Sequence, residues 1–268
     1  MSEALQTADS ADSIEQQIAN LGPWFHNLHL PGGIQTAAED PLGDFPANKF
    51  AQIQPSLPED LSGWTVLDVG CNAGFYSFEL ARRGAAVTAI DMDPHYLRQA
   101  RWAAKQLGLQ DRIQFQQGQV SDIASQNLDY DLVWFMGVFY HLRYPLLALD
   151  LLARRARRLL MFQTMTYPDD ADCEVPEDLG LPQRNLLCQQ GWPKMAFIEH
   201  RLAHDPTNWW AANASCVEAM LRSSGLEVLA RPAHEVWLCK PNPAAEAMPW
   251  IEQELAAAIG PGRRVDAG

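Results

Sequence analysis

The stretch at 66–74, V-L-D-V-G-C-N-A-G, with A-V-T-A-I-D ending at Asp91, constrains this chain most. Its pattern is a strand, a glycine turn, a helix, and a second strand that ends in an acid. Gly70 lets the backbone turn tightly after the first strand, and Gly74 lets the next helix start close to the sheet. The freed N–H groups at that helix start face a ligand's negative group. Asp91 lies about twenty residues past Gly70, the spacing at which an acid at a strand end binds ribose hydroxyls. Such a chain is expected to cradle an adenosine-containing cofactor.

The spacing over Asp68, Gly70, Asn72 and Gly74, D-x-G-x-N-x-G, departs from the dinucleotide pattern G-x-G-x-x-G. It resembles motif I of the class I S-adenosylmethionine (SAM)-dependent methyltransferases, where Gly is usual at the place of Asn72. Asn tolerates a left-handed backbone better than most residues, so the loop still forms.

Strand patterns at 65–70, 86–91, 113–117, 131–136 and 159–163 alternate with helical ones at 75–83, 94–107 and 145–153. That alternation predicts an α/β fold with a doubly wound, mostly parallel sheet. The pattern lapses at 167–212, a stretch rich in Pro, Asp, Trp and His, and a lapse this long is usually functional. It resumes with a helix over 213–224 and strands at 226–230 and 235–240. The methyltransferase resemblance implies a seven-stranded Rossmann-like sheet closed by that antiparallel pair. Residues 1–60 are expected to be a polar tail and an aromatic, proline-rich cap over the site. Residues 61–241 form the SAM-binding domain with the 167–212 insertion, and 242–268 a short helix and tail.

With 47% hydrophobic residues the chain can bury a core, and no apolar run is long enough to span a membrane. The start is polar and acidic, unlike a secretory signal. Cys71, Cys173, Cys188, Cys216 and Cys239 are scattered, without a C-x-x-C pair, which predicts reduced thiols in a cytoplasmic protein and no metal site. A net charge of −13 weighs against a broad nucleic-acid surface. The dense basic run at 154–158, R-R-A-R-R, is read as a solvated helix end rather than an RNA patch.

The second informative segment is 130–145, Y-D-L-V-W-F-M-G-V-F-Y-H-L-R-Y-P. Its strand should end in the crevice where open α/β sheets bind ligands, so Met136, Gly137, Tyr140 and His141 line the reacting end. The wording M-G-V-x-Y-H-x-R-x-P, together with D-V-G-C-x-x-G, resembles the tRNA wobble-uridine carboxymethyltransferase family over roughly residues 23–165. The resemblance implies cofactor contacts at Gly70, Asp91, Met92, Asp93, Gln119, Val120, Met136 and Tyr140. That family uses a carboxylated SAM and holds its extra carboxylate with basic and aromatic side chains. Here Phe25 and His26 stand where a basic residue is expected after Pro23–Trp24. Asp44 and Phe45 replace a tryptophan shortly before Lys49. A buried carboxylate without a cation is costly, so the cofactor expected is ordinary SAM.

Methyl transfer to oxygen calls for a general base, and His141 is the first candidate because it follows the strand end and titrates near neutrality. A structural histidine bonded to its own loop is the alternative. His26 and His29 in the cap, and His200 and His204 in the insertion, are further candidates. Trp192, Trp209 and Trp210 form either a substrate wall or packing. The leading reading is methylation of a small-molecule hydroxyl, with nucleic acid and membrane disfavoured as partners. A tRNA-modifying transferase and a non-catalytic SAM-binding scaffold are the alternatives.

Overall fold

A computed structural model describes residues 13–123, 128–169, 171–245 and 249–259. The polar start (1–12) and final residues (260–268) lie outside this description, as does part of the expected 242–260 helix.

In chain order the elements are α1 (Ile14–Leu21), α2 (Phe45–Ile53), β1 (Thr65–Val69), α3 (Phe75–Arg82), β2 (Ala86–Asp91), α4 (Pro94–Gln106), β3 (Ile113–Gln117), α5 (Val120–Ile123) and β4 (Tyr130–Met136). There follow α6 (Pro145–Ala153), β5 (Ala156–Gln163), β6 (Met195–Phe197), β7 (Trp210–Ala212), α7 (Ala214–Ser223), β8 (Leu226–Ala233), β9 (Val236–Pro241) and α8 (Pro249–Ile259). The main sheet has the order β3-β2-β1-β4-β5-β9-β8, and β6 pairs with β7 in a small second sheet.

β1 to β5 are parallel, while β9 runs antiparallel to β5 and β8 antiparallel to β9. The reason is legible in β4: Leu132, Trp134 and Met136 enter one core layer, and Val133 and Phe135 the other. A strand buried on both faces is apolar throughout and needs helices on both sides. α3 and α4 cover the first face, and α5, α6 and α7 the second. The register pairs Val69 with Ile90 and Phe135, and Met136 with Gln163, so these strand ends form one rim. Strand order reverses between β1 and β4, which opens the ligand crevice at that rim.

The N-terminal segment divides its labour in a way the sequence reading did not foresee. α2 is a structural layer: Pro46, Phe50 and Ile53 are buried, with Phe50 against Phe75, Tyr76 and Trp134. Full burial of side chains of this size contributes about 2 kcal/mol each. The start of the stretch between α1 and α2 is tied to α4, since Gln99 Nε2 donates to the carbonyls of Leu21 and Pro23.

The basic run also needs correction. Arg154 caps α6, but Ala156 already belongs to β5. Its guanidinium groups pair with acids: Arg154 with Glu252, Arg155 and Arg157 with Asp129, and Arg158 with Asp131. Among the described residues no helix is long and apolar enough to cross a membrane.

Candidate active site

The turn after β1 is fixed by glycine and by backbone hydrogen bonds. Gly70 has φ +72°, and a Cβ there would lie 2.2 Å from Val138 Cγ2. Gly70 N and Cys71 N both donate to Ile90 O, at 2.7 and 3.0 Å, which ties the turn to β2. Gly74 is left-handed at φ +92° and begins α3; a Cβ there would meet the Phe78 ring at 2.7 Å. Asn72 takes the left-handed conformation expected of it, φ +50°, and its Oδ1 accepts from Ala73 N.

Asp91 closes this network. Its Oδ2 accepts from Asn72 N at 2.8 Å and its Oδ1 from Asp93 N at 2.9 Å. A carboxylate has about four acceptor positions, so these bonds leave acceptor capacity for a ribose hydroxyl. Burial raises the Asp91 pKa, and these N–H groups pull it back. Asp68 is 1% exposed and accepts from Ser77 Oγ. Burial, opposed by that hydroxyl and reinforced by Asp91, lifts its pKa to about 7. The glycine cradle and the remaining acceptor capacity of Asp91 fit an adenosine-containing ligand.

The remaining cofactor candidates stand around the same rim. Met92 is exposed at its edge. Asp93 caps α4 by accepting from His95 N, so its carboxylate is partly committed. Gly118 N donates to Asp91 O, which sets Gln119 and buried Val120 beside the acid. Met136 is buried at the end of β4, and Val138 closes on Gly70. Tyr140 follows in a single 3-10 turn, Phe139–His141; burial, then the charges of Glu235 and Asp205, push its phenol up to about 12.

His141 is held from outside its own loop. Its Nδ1 lies 2.9 Å from Thr207 Oγ1, 3.3 Å from Thr207 O and 3.8 Å from Asp205 Oδ2. Thr207 N and Oγ1 both donate to Asp205 Oδ1. The backbone on either side is clamped: Trp209 N donates to Tyr140 O, and Trp210 Nε1 to Leu142 O. These partners come from the insertion, where Leu202 and Asp205 exchange backbone hydrogen bonds across Ala203 (φ +52°) and His204 (φ +64°). That is a mirror-image turn made without Asn or Gly, at about 1–2 kcal/mol per left-handed residue. Burial lowers the His141 pKa, while Asp205 and Thr207 oppose the drop.

The other candidate histidines have different surroundings. His26 is buried against Phe75 and Tyr76, with Nδ1 lacking a partner among the described residues, and burial drives its pKa to about 4, which makes it a poor base. His29 pairs with Asp44 on the outer side of α3, lining a cavity of about 270 Å³ with Phe50, Phe78 and Arg82. His200 is exposed, and His204 sits in the turn. The three tryptophans all make packing contacts or hydrogen bonds within the protein. Trp192 is buried, and Trp209 stacks on Phe197 under the Arg143 guanidinium.

Sequence reasoning missed Asp205, Thr207 and Glu235. Glu235 lies in the β8–β9 turn at φ +62° and accepts from Thr166 N and Oγ1. Two half-signals existed: the D-P-T wording of a side-chain-capped turn, and an acid between two strands.

Residues 66–161 match a family described as a methyltransferase domain. The chain is 34% identical over 177 residues to a tRNA U34 carboxymethyltransferase of Pseudomonas putida (strain W619), covering 65% of this chain and 54% of that protein. It is 30% identical over 216 residues to one of Pseudomonas paraeruginosa, covering 78% and 62%. A ubiquinone biosynthesis O-methyltransferase of Psychrobacter cryohalolentis is 37% identical over 101 residues, 37% of this chain and 39% of that protein. The chain thus spans a little over half the length of its carboxymethyltransferase relatives. Among solved structures, the N-terminal domain of EvdMO1 with SAH bound shares the fold with a TM-score of 0.59 at 20% identity, covering 85% of this chain and 95% of that one. Residues 66–161 therefore carry a methyltransferase domain, with the class I fold and a glycine-and-acid cradle that fits S-adenosyl-L-methionine.

Proposed function

We propose that this chain transfers a methyl group from SAM to a hydroxyl of a small-molecule acceptor, with His141 as general base. The observation that carries this is the orientation of His141: Nδ1 is turned into Thr207 and Asp205, and Nε2 has no partner among the described residues. In this reading Asp68, Gly70, Asn72, Gly74, Asp91, Met92, Asp93, Gln119, Val120, Met136 and Tyr140 hold the cofactor. SAM supplies an electrophilic methyl group on a positively charged sulfur. His141 Nε2 would take the proton of the acceptor hydroxyl as its oxygen is methylated, with S-adenosylhomocysteine as the leaving group. The positive charge ends on the imidazolium, beside Asp205, and the proton then leaves to water. The segments 1–60 and 167–212 act as cap and insertion, and the five unbridged thiols accord with a cytoplasmic setting. The named O-methyltransferase relative supports a small acceptor.

The carboxymethyltransferase relatives favour a second reading, a tRNA uridine as acceptor. The −13 charge and the acid-paired arginines at 154–158 weigh against it. One experiment separates the two. Small metabolites and tRNA are each incubated with SAM or carboxy-SAM, and the products are identified by mass spectrometry, for wild type and His141→Ala. A methylated small molecule whose formation falls about 10²–10⁴-fold in the variant is the expected result. A carboxymethylated tRNA, or near wild-type turnover in folded His141→Ala, overturns the proposal.

A further inference from the structure

We infer that Asp205 and Thr207, supplied by the insertion, are positioning residues that hold His141 as a single tautomer, with the proton on Nδ1 and the lone pair of Nε2 facing the acceptor. This deepens the base reading above and rests on it for its catalytic meaning.

The hydrogen-bond directions leave little freedom. Thr207 Oγ1 donates its one proton to Asp205 Oδ1 at 2.6 Å, so toward His141 it presents a lone pair. The Thr207 carbonyl, 3.3 Å from the same ring nitrogen, only accepts. The Asp205 carboxylate, 3.8 Å away, also only accepts. Three acceptors around Nδ1 require a proton on Nδ1, and a neutral imidazole then keeps its lone pair on Nε2.

The clamps at Tyr140 O and Leu142 O fix the ring's origin. The left-handed pair Ala203–His204 turns Asp205 back toward it, and Asn208 Nδ2 braces that turn through Leu202 O. Backbone strain of this kind persists where surrounding structure over-determines it. The other groups near the ring do not compete. Tyr140 contacts it with rings 4.3 Å apart and a phenol kept neutral, and Arg143 is turned onto Phe197 and Trp209. Asp205 also acts at a distance on α4. Its charge, with those of Asp93 and Asp91, helps raise the Tyr96 phenol on α4, after burial and against the Asn72 hydrogen bond. The insertion therefore completes the base rather than merely covering it.

The test needs no acceptor. Long-range ¹H–¹⁵N spectra of the full chain report the tautomer and titration midpoint of His141, assigned through loss of its signals in His141→Ala. Wild type should show the Nδ1–H form alone at neutral pH. Asp205→Asn and Thr207→Val should mix the tautomers and lower the midpoint, while Thr207→Ser, which keeps the hydroxyl, should match wild type. With an acceptor in hand, Asp205→Asn should lower kcat about tenfold with KM for SAM unchanged. An Nε2–H tautomer in wild type, or an unchanged tautomer and midpoint in both variants, overturns the inference. A correct tautomer with full turnover in His141→Ala would leave the positioning intact and remove only the base reading.

Discussion

Around Gly70 and Asp91 the geometry is set by backbone groups on adjacent parallel strands, bonded N–H to carbonyl or carboxylate over 2.7–3.0 Å. Around His141 it is set by side chains that arrive from 66 positions away in sequence. The region around Asp91 inherits its precision from sheet register. The region around His141 borrows its precision from a turn whose backbone conformation is itself unfavourable. The difference teaches that strand register alone can fix one region, while the other depends on side chains supplied by the 167–212 stretch.

The sharpest way to break this division is at Gly70, where the turn after β1 comes close to the loop after β4. Gly70→Ala sets a Cβ into Val138, which belongs to the loop after β4, and forces a non-glycine residue to φ +72°. Overpacking and left-handed strain together should cost about 2–5 kcal/mol. Thermal melts should show the loss, and the His141 signals should move as well. If they do not, the halves are independent.

A second test uses acid on the N-terminal segment. Burial lowers the His26 pKa to about 4 in the folded state, against 6.5 for the ordinary group. The folded form binds fewer protons, so its stability is full above pH 6.5 and is lost as pH falls toward 4. At about 1.4 kcal/mol per unit this amounts to about 3 kcal/mol. Denaturation of wild type and His26→Phe compared across that window should show the gap closing in acid. Parallel curves would mean that His26 titrates normally.

A smaller effect is expected for Asp91→Ala. Losing the hydrogen bonds to the ribose should weaken SAM binding by about 1.5–3 kcal/mol in calorimetry. The His141 tautomer should stay as it is. Unchanged affinity in a folded variant would take Asp91 out of the site.

How much of this was legible follows the same division. β2, β3 and α6 fall where periodicity set them, because each is a short apolar or alternating run with clear punctuation. β5 starts three residues earlier than its apolar run, because Arg157 and Arg158 look polar in sequence yet extend the strand beside Asp129 and Asp131. α2 was not foreseen as a helix, although Pro at its second position is a helix-start signal. The glycine turn and Asp91 were readable because backbone chemistry leaves few residue choices. The contacts of His141 were not, because Ala203–His204 carries no turn signature and nothing local links Thr207 to the loop after β4.

The place of β9 has a consequence for how the chain is made. Among the described residues it is the last strand in sequence, yet it lies inside the sheet, between β5 and β8. A ribosome that has released residues up to 163 has delivered five parallel strands whose β5 edge is open. That edge stays a template for wrong partners until residue 241 emerges. Trp237, wholly buried in the finished protein, is the side chain whose arrival seals it. Vectorial synthesis thus leaves this molecule exposed along one seam until nearly the whole of its sheet has been translated.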